Sequence, residues 1–143
     1  MTKTYKVNAF TRYGNAMTTA MIRLRIAPPG MYLLTVRGRK SGLPRSVPVS
    51  LVEDHGTRWL VAPYGEVAWV RNARAAGEVE LRRGGAPAQS KVLEVSAAEA
   101  APVLRSYLRS HRTMVGPYFD VTLCSPDAAF IEEAPRHPVF VLL

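Results

Sequence analysis

The stretch TVRGRKSGLPRSVPVSLV, residues 35–52, decides how the chain is read. It places four cations, Arg37, Arg39, Lys40 and Arg45, around two glycines and two prolines, with no acid. On either side the residues are those of strands. MYLLTVR (31–37) is apolar and β-rich, and in RSVPVSLVE (45–53) Val47, Val49 and Leu51 recur at period two. Pro48 confines the second strand to an edge or a bulge. The cations therefore sit on a tight turn. Gly38 and Gly42 permit backbone angles that expose successive N–H groups, and Arg39, Lys40 and Ser41 surround one point with two charges and a hydroxyl. Such a turn is either a cradle for a phosphate or a solvated hairpin end.

Charge elsewhere sharpens the question. Residues 1–52 hold nine Lys or Arg and no acid, and Glu53 is the first carboxylate. The net charge of +8 thus belongs to the first third. That asymmetry fits an anionic partner or a soluble basic face without a ligand. Residues 5–26 read as a helix, with Val7, Phe10, Met17, Met21 and Leu24 at steps of three and four, stopped at Pro28. It either packs on its own domain or rests on an anionic membrane surface.

Downstream, DHG (54–56) reads as a turn and TRWLVAP (57–63) as a third strand. EVAWVRNARAAG (66–77) reads as a short helix capped by Gly77. EVELRR (78–83) and QSKVLEV (89–95) form a hairpin. Ser96 and Glu99 make a capping box that opens a helix to about Ser110, and HPVFVLL (137–143) is a closing strand. The expected fold is α+β, mainly β: one domain over 1–143, with an N-terminal amphipathic helix (1–28) and a barrel or curled sheet (30–143) of about six strands with short helices. The 143 residues suffice for a core without staples, and no apolar run is long enough to span a bilayer. A single cysteine and no secretory leader lead us to expect a cytoplasmic protein.

Several chemistries are excluded or left weak. His55, His111 and His137 lack ligand spacing and are expected at the surface or in turns, and no metal site is expected. No nucleophile elbow exists. Cys124, in the apolar VTLCS, is expected to be buried and inert. GRKSG lacks the glycine that a P-loop requires directly before its lysine. The basic third shows neither a recognition helix nor an RNP-like aromatic pattern, so nucleic acid is not expected.

Three segments in order carry a resemblance: LLTVRGRKSGLPRSVPVSLVEDHGTRWLVAP, YGEVAWVRNARAAGEVEL and the terminal PVFVLL. They resemble the deazaflavin-dependent nitroreductase family, whose members have a G-R-K-[ST]-G-x-P-R turn, a strand ending V-A-[SP], and a helix W-x-x-N-x-x-A-[NG]. The match is close over about residues 31–83 and looser elsewhere. It implies a split β-barrel of antiparallel strands, often dimeric. It also implies the 8-hydroxy-5-deazaflavin coenzyme F-420 and hydride transfer to a quinone, nitro-compound or other conjugated electrophile. By the same resemblance Arg39, Lys40 and Ser41, with Arg45 beside them, hold the coenzyme phosphate. The strand Ser46, Val47, Pro48, Val49 and Ser50 and the loop Ala62, Pro63, Tyr64 and Gly65 lie along the ring. Ala68, Trp69, Arg71 and Asn72 close the site.

Trp69 also reads as a core anchor of its helix. Tyr118, in GPYFD, is the candidate catalytic proton donor; its other reading is an aromatic covering the barrel mouth. The chain departs from the family's usual W-[YF]-x-N at Val70, and has APYG where ASxGG is common, which bears on the acceptor. An FMN-dependent relative and a non-catalytic carrier of coenzyme or apolar ligand are the alternatives. A homodimer and a peripheral contact of the first helix with the inner membrane face are further expectations.

Overall fold

A hairpin turn at 38–43 joins β1 (Met31–Arg37) to β2 (Pro44–Asp54), as the alternation of branched residues requires. The computed structural model describes residues 30–143; the helix expected over 5–26 lies outside them. A second reversal, with His55 at φ 50° and Gly56 at φ 80°, leads into β3 (Thr57–Val61). These positive angles give the turn whose twist matches a β-hairpin. β4 (Glu78–Arg82), β5 (Ala88–Glu94) and β6 (Val139–Leu142) complete a closed barrel in the order β1-β2-β3-β6-β5-β4, antiparallel throughout.

β2 changes partner along its length. Pro44–Ser50 pairs with β1, whereas Leu51–Asp54 pairs with β3. The edge of residues 44–50 away from β1 therefore has no neighbouring strand among the described residues. This is where the barrel is split. The Leu51 N–H bonds to Gly30 O on the β1 side at 2.9 Å. Alternation along an antiparallel strand then directs residues 45, 47 and 49 toward β1 and residues 46, 48 and 50 to the open edge. Pro48, which has no N–H, falls on the side where no ladder bond is needed.

Two apolar layers hold this frame. The lumen is filled by Leu34, Val36, Leu51, Leu60, Val79, Leu81 and Phe140, and Val70 and Ala73 of helix α1 (Ala68–Ala76) pack with them. α1 ends where the sequence predicts: Gly77 takes φ 73° and its N–H bonds to Ala73 O. Outside the barrel, helix α2 (Ala97–Val115) and helix α3 (Asp127–Glu133) lay Leu104, Leu108 and Phe130 against Val61 and Val139. Each such side chain contributes about 1.5–3 kcal/mol through burial.

The structure corrects the sequence reading at three places. α2 does not stop near Ser110 but runs to Val115, through a non-helical residue at His111 (φ −126°, ψ 21°). Its buried stripe simply continues, with Tyr107, Leu108 and Val115. α3 was not expected; it is a 7-residue helix of about two turns, anchored by buried Phe130. Cys124 is exposed, not buried. Its segment is a surface turn held by Thr122 N–H to Ser125 Oγ at 2.9 Å, and Arg105 donates to the carbonyls of Leu123 and Ser125.

Candidate functional site

The basic turn is built by its glycines. Gly38 N–H bonds to Leu43 O at 2.8 Å and Gly42 N–H to Gly38 O at 2.9 Å. A Cβ on Gly38 would lie 2.7 Å from Ser41 Oγ and 3.2 Å from Leu43 O, and Gly42 holds φ 71°. Ser41 Oγ accepts from Leu43 N–H at 3.2 Å, and Arg37 Nη1 donates to Gly42 O at 2.8 Å. The turn is tied to α1 through buried Asn72, whose Oδ1 accepts from Arg39 N–H at 3.1 Å and Arg39 Nη1 at 2.8 Å. These bonds leave the N–H groups of Lys40 and Ser41, the Lys40 ammonium and the remaining Arg39 donors for an anion. Gly38→Ala should therefore lower anion affinity at least about tenfold, because Ser41 and the 43 carbonyl must both move to admit the methyl. Calorimetry with the coenzyme or with inorganic phosphate checks this; an unchanged Kd would show that the turn tolerates a wider form.

Beside the turn lies a cavity of about 860 Å³, within the range of cofactor sites. Its walls are the turn (Gly38, Arg39, Lys40, Ser41), β2 (Arg45, Ser46, Val47, Pro48, Val49, Ser50), the 63–69 loop and start of α1 (Pro63, Tyr64, Glu66, Val67, Ala68, Trp69), and Arg71 and Asn72. The open edge of β2 thus brings the main-chain groups of Ser46, Pro48 and Ser50 to a ligand-sized space, with one missing donor at Pro48. Trp69 serves both of its readings. It lines the cavity and packs on the barrel through Phe140, with ring centroids 6.0 Å apart. Glu66 is the single carboxylate of the lining, and it is engaged by Arg74 at 2.7 Å. Arg74 also grips Glu94 of β5, which fixes α1 to the barrel wall.

Three of the expected residues stand apart from the cavity. Ala62 is fully buried in the barrel, where its N–H bonds to Pro138 O. Gly65 supplies the bend of the loop at φ 93°. Tyr118 lies in a short 3-10 turn (Gly116–Tyr118) and packs edge-on against Tyr64, centroids 4.9 Å apart; Tyr64, not Tyr118, lines the cavity. Tyr118 thus borders the site through Tyr64 without being part of the cavity lining.

What the sequence did not reveal is the contribution of α2. Tyr107, His111, Met114 and Val115 form the remaining wall. Their steps of four, three and one place them on one helical face, a signal hidden by ending the helix at Ser110. Burial, with a smaller contribution from Tyr64, raises the Tyr107 hydroxyl above its ordinary value, so it stays protonated and can donate a hydrogen bond into the cavity without ionising. Beneath the loop, His137 Nδ1 faces Pro63 O at 2.8 Å and its Nε2 meets Glu133 Oε2 at 2.6 Å. His137 is thus buried rather than superficial, and it anchors the carbonyl of a cavity-lining residue. Among the described residues no cluster of His, Cys, Asp or Glu is suited to a metal ion, and no helix is long and apolar enough to cross a membrane.

A family model described as F420H(2)-dependent quinone reductase matches residues 6–121. No curated protein sequence matches the chain. Among solved structures, one described as an F420-H2 dependent reductase is 23% identical, with a TM-score of 0.56 over 80% of this chain and 95% of its own. Another, described as a domain-swapped dimer, is 20% identical with a TM-score of 0.57, over 94% of this chain and all of its own. A nimc/nima family protein from Clostridium acetobutylicum is 12% identical with a TM-score of 0.52, over 79% of this chain and 71% of its own. At these identities the structures speak for the fold.

Proposed function

Because the chain belongs to the F420H(2)-dependent quinone reductase family, and is thereby an oxidoreductase that uses coenzyme F-420, we propose that it reduces a quinone held between the open edge of β2 and helix α2. The observation that carries this reading is the single cavity wall that runs from the glycine-built cationic turn, past a strand edge, to an apolar and aromatic helix face. The turn matches a phosphodiester and the flat edge a planar heterocycle. The α2 face matches a planar acceptor laid against that heterocycle.

In this reading Arg39, Lys40 and Ser41 bind the phosphate, with Arg45 adding charge at the entry to β2. The main-chain groups of Ser46, Pro48 and Ser50 and the side chains of Val47 and Val49 orient the ring, and Pro63, Tyr64, Ala68 and Trp69 shield it from water. Asn72 acts through the turn, since its amide oxygen is spent on Arg39. Arg71 lies on the same wall and suits the acidic tail of the coenzyme. The bound coenzyme supplies hydride chemistry; the protein supplies orientation and a dry site. A nitro-compound fits the same space, but the quinone is the acceptor class that the family description names.

A homodimer is part of the proposal, supported by the likeness to the chain described as a domain-swapped dimer. So is a cytoplasmic location, supported by the single cysteine. The test is a titration with the deazaflavin coenzyme and with FMN in parallel, followed by mixing reduced coenzyme and a soluble quinone. Micromolar deazaflavin binding, weak FMN binding and quinone-dependent bleaching of the reduced coenzyme are expected. Preference for FMN would assign the cationic turn to a flavin, and binding without turnover would make the protein a carrier.

A further inference from the structure

We propose that His111 is the proton donor to the reduced quinone and that it is recharged from solvent through a second cavity that it also borders. The proposal rests on the quinone-reductase reading and adds the residue that completes the reaction. Reduction of a quinone by hydride leaves an oxygen anion, and a group at the acceptor end must protonate it. Among the described residues that line the main cavity, the groups that carry a transferable hydrogen are few: Tyr64, Tyr107, Lys40, the arginines and His111, and Tyr64 is packed edge-on by Tyr118. The Tyr107 hydroxyl is held protonated by burial. The arginines do not release protons near neutrality, and Lys40 belongs to the phosphate turn at the other end. His111 is the one imidazole in the lining.

Its position is specified. The ring lies parallel to Tyr107, centroids 4.3 Å apart and planes 17° from parallel. Nδ1 stands 3.1 Å from Tyr107 O. A carbonyl only accepts, so Nδ1 carries a hydrogen, and Nε2 is the nitrogen that gains and loses the mobile proton. The helix departs from helical angles at this residue alone. His111 and Met114 also line a second cavity of about 350 Å³, formed with Arg109, Ser110, Arg112, Thr113 and Leu123. His111 therefore borders both the main cavity and this second one. The charges around it are cationic on both sides: Arg45 and Arg71 on the main cavity, Arg109 and Arg112 on the second. The one carboxylate, Glu66, is already paired with Arg74.

The step balances as follows. The quinone receives two electrons and one hydrogen as hydride; the Nε2–H bond breaks as an O–H bond forms, giving the hydroquinone and neutral His111. Water in the second cavity returns a proton to Nε2. One proton from the reduced coenzyme passes to solvent, so that reduced coenzyme and quinone become oxidised coenzyme and hydroquinone.

The experiment compares wild type with His111→Gln and His111→Asn, which retain polarity and lack the mobile proton. For wild type, kcat/KM for the quinone should fall with rising pH across the range where imidazoles lose their proton, about pH 5–8. In the variants that limb should vanish and the rate should drop by about 10²–10⁴-fold, with the loss falling on kcat more than on KM for the quinone. A second readout needs no turnover or variant folding: in the nitrogen-labelled wild-type protein with oxidised coenzyme, hydroquinone should shift the His111 Nε2 resonance. A variant that keeps the pH limb, or an Nε2 signal indifferent to hydroquinone, would overturn the proposal. If the wild type neither binds the coenzyme nor reduces quinone, the functional reading itself fails and this inference fails with it.

Discussion

Replacing Arg39 and Lys40 together with alanine is expected to raise the Kd for the deazaflavin coenzyme by about 30- to 1,000-fold, a loss of about 2–4 kcal/mol. Each side chain loses a charge-assisted hydrogen bond worth about 1.5–3 kcal/mol, and the two losses overlap because both address one phosphate. The geometry makes Arg39 the better placed of the pair. Its backbone N–H and one guanidinium nitrogen are held by Asn72 at 3.1 and 2.8 Å, so the rest of the fork is oriented before the ligand arrives. Lys40 is exposed and less constrained. Arg39→Ala alone should therefore cost more than Lys40→Ala alone. Calorimetric titration at one fixed ionic strength measures all three values, since exposed charges are screened by salt. Unchanged affinity in the double variant would remove the phosphate assignment from this turn.

Glu133→Ala should destabilise the fold by about 3–5 kcal/mol, the usual cost of stripping one partner from a buried ion pair. Glu133 and His137 are 2% and 3% exposed in their side chains. The Glu133 carboxylate receives His137 Nε2, the Asp120 N–H at 3.3 Å and Arg136. Phe119 lies flat on the imidazole, centroids 3.8 Å apart, so no side chain can swing in to replace the lost acceptor. Thermal denaturation should show a fall in Tm on the order of 10–15 °C. Glu133→Gln, which keeps an acceptor, should lose much less. The effect should also reach the site, because His137 is what holds Pro63 O. A Tm unchanged by the alanine variant would mean that water fills the place of the carboxylate.

Local chemistry made the hairpin of 31–54, the Gly77 cap and the Ser96 cap, whose Oγ accepts from Glu99 N–H, readable before the fold was known, because each is decided by residues within a few positions. The ring order of the strands was not readable. The pairings of β1 with β4 and of β3 with β6 join segments far apart in sequence, and apolar alternation does not specify a neighbour. In the site, the turn and the β2 edge could be read from composition, and Asn72 from the motif of its helix. Its role could not, since a hydrogen bond across 33 positions is a tertiary fact. The histidines illustrate the same limit. His55 lies exposed in its turn, as expected. His137 is buried beside Glu133, four residues earlier, and His111 reaches the cavity only because α2 outlasts Ser110. Tyr118, singled out for its phenol, packs edge-on against Tyr64, a tertiary contact that the sequence does not specify.

The unpaired side of β2 has a consequence for solubility. An edge free of a neighbouring strand offers any extended polypeptide a ladder to join, and a barrel normally avoids this by closing completely. In the proposed function this gap stays open for a ligand, so among the described residues the protection comes from the edge itself. At its centre stands Pro48, which withholds the N–H that a foreign strand would seek, leaving donors only at Ser46 and Ser50. Arg45, at the exposed end of the same segment, meets its own charge when two copies approach edge to edge. In the proposed function the proline leaves room for a coenzyme, and the same missing N–H makes this edge a poor template for a second copy of the strand.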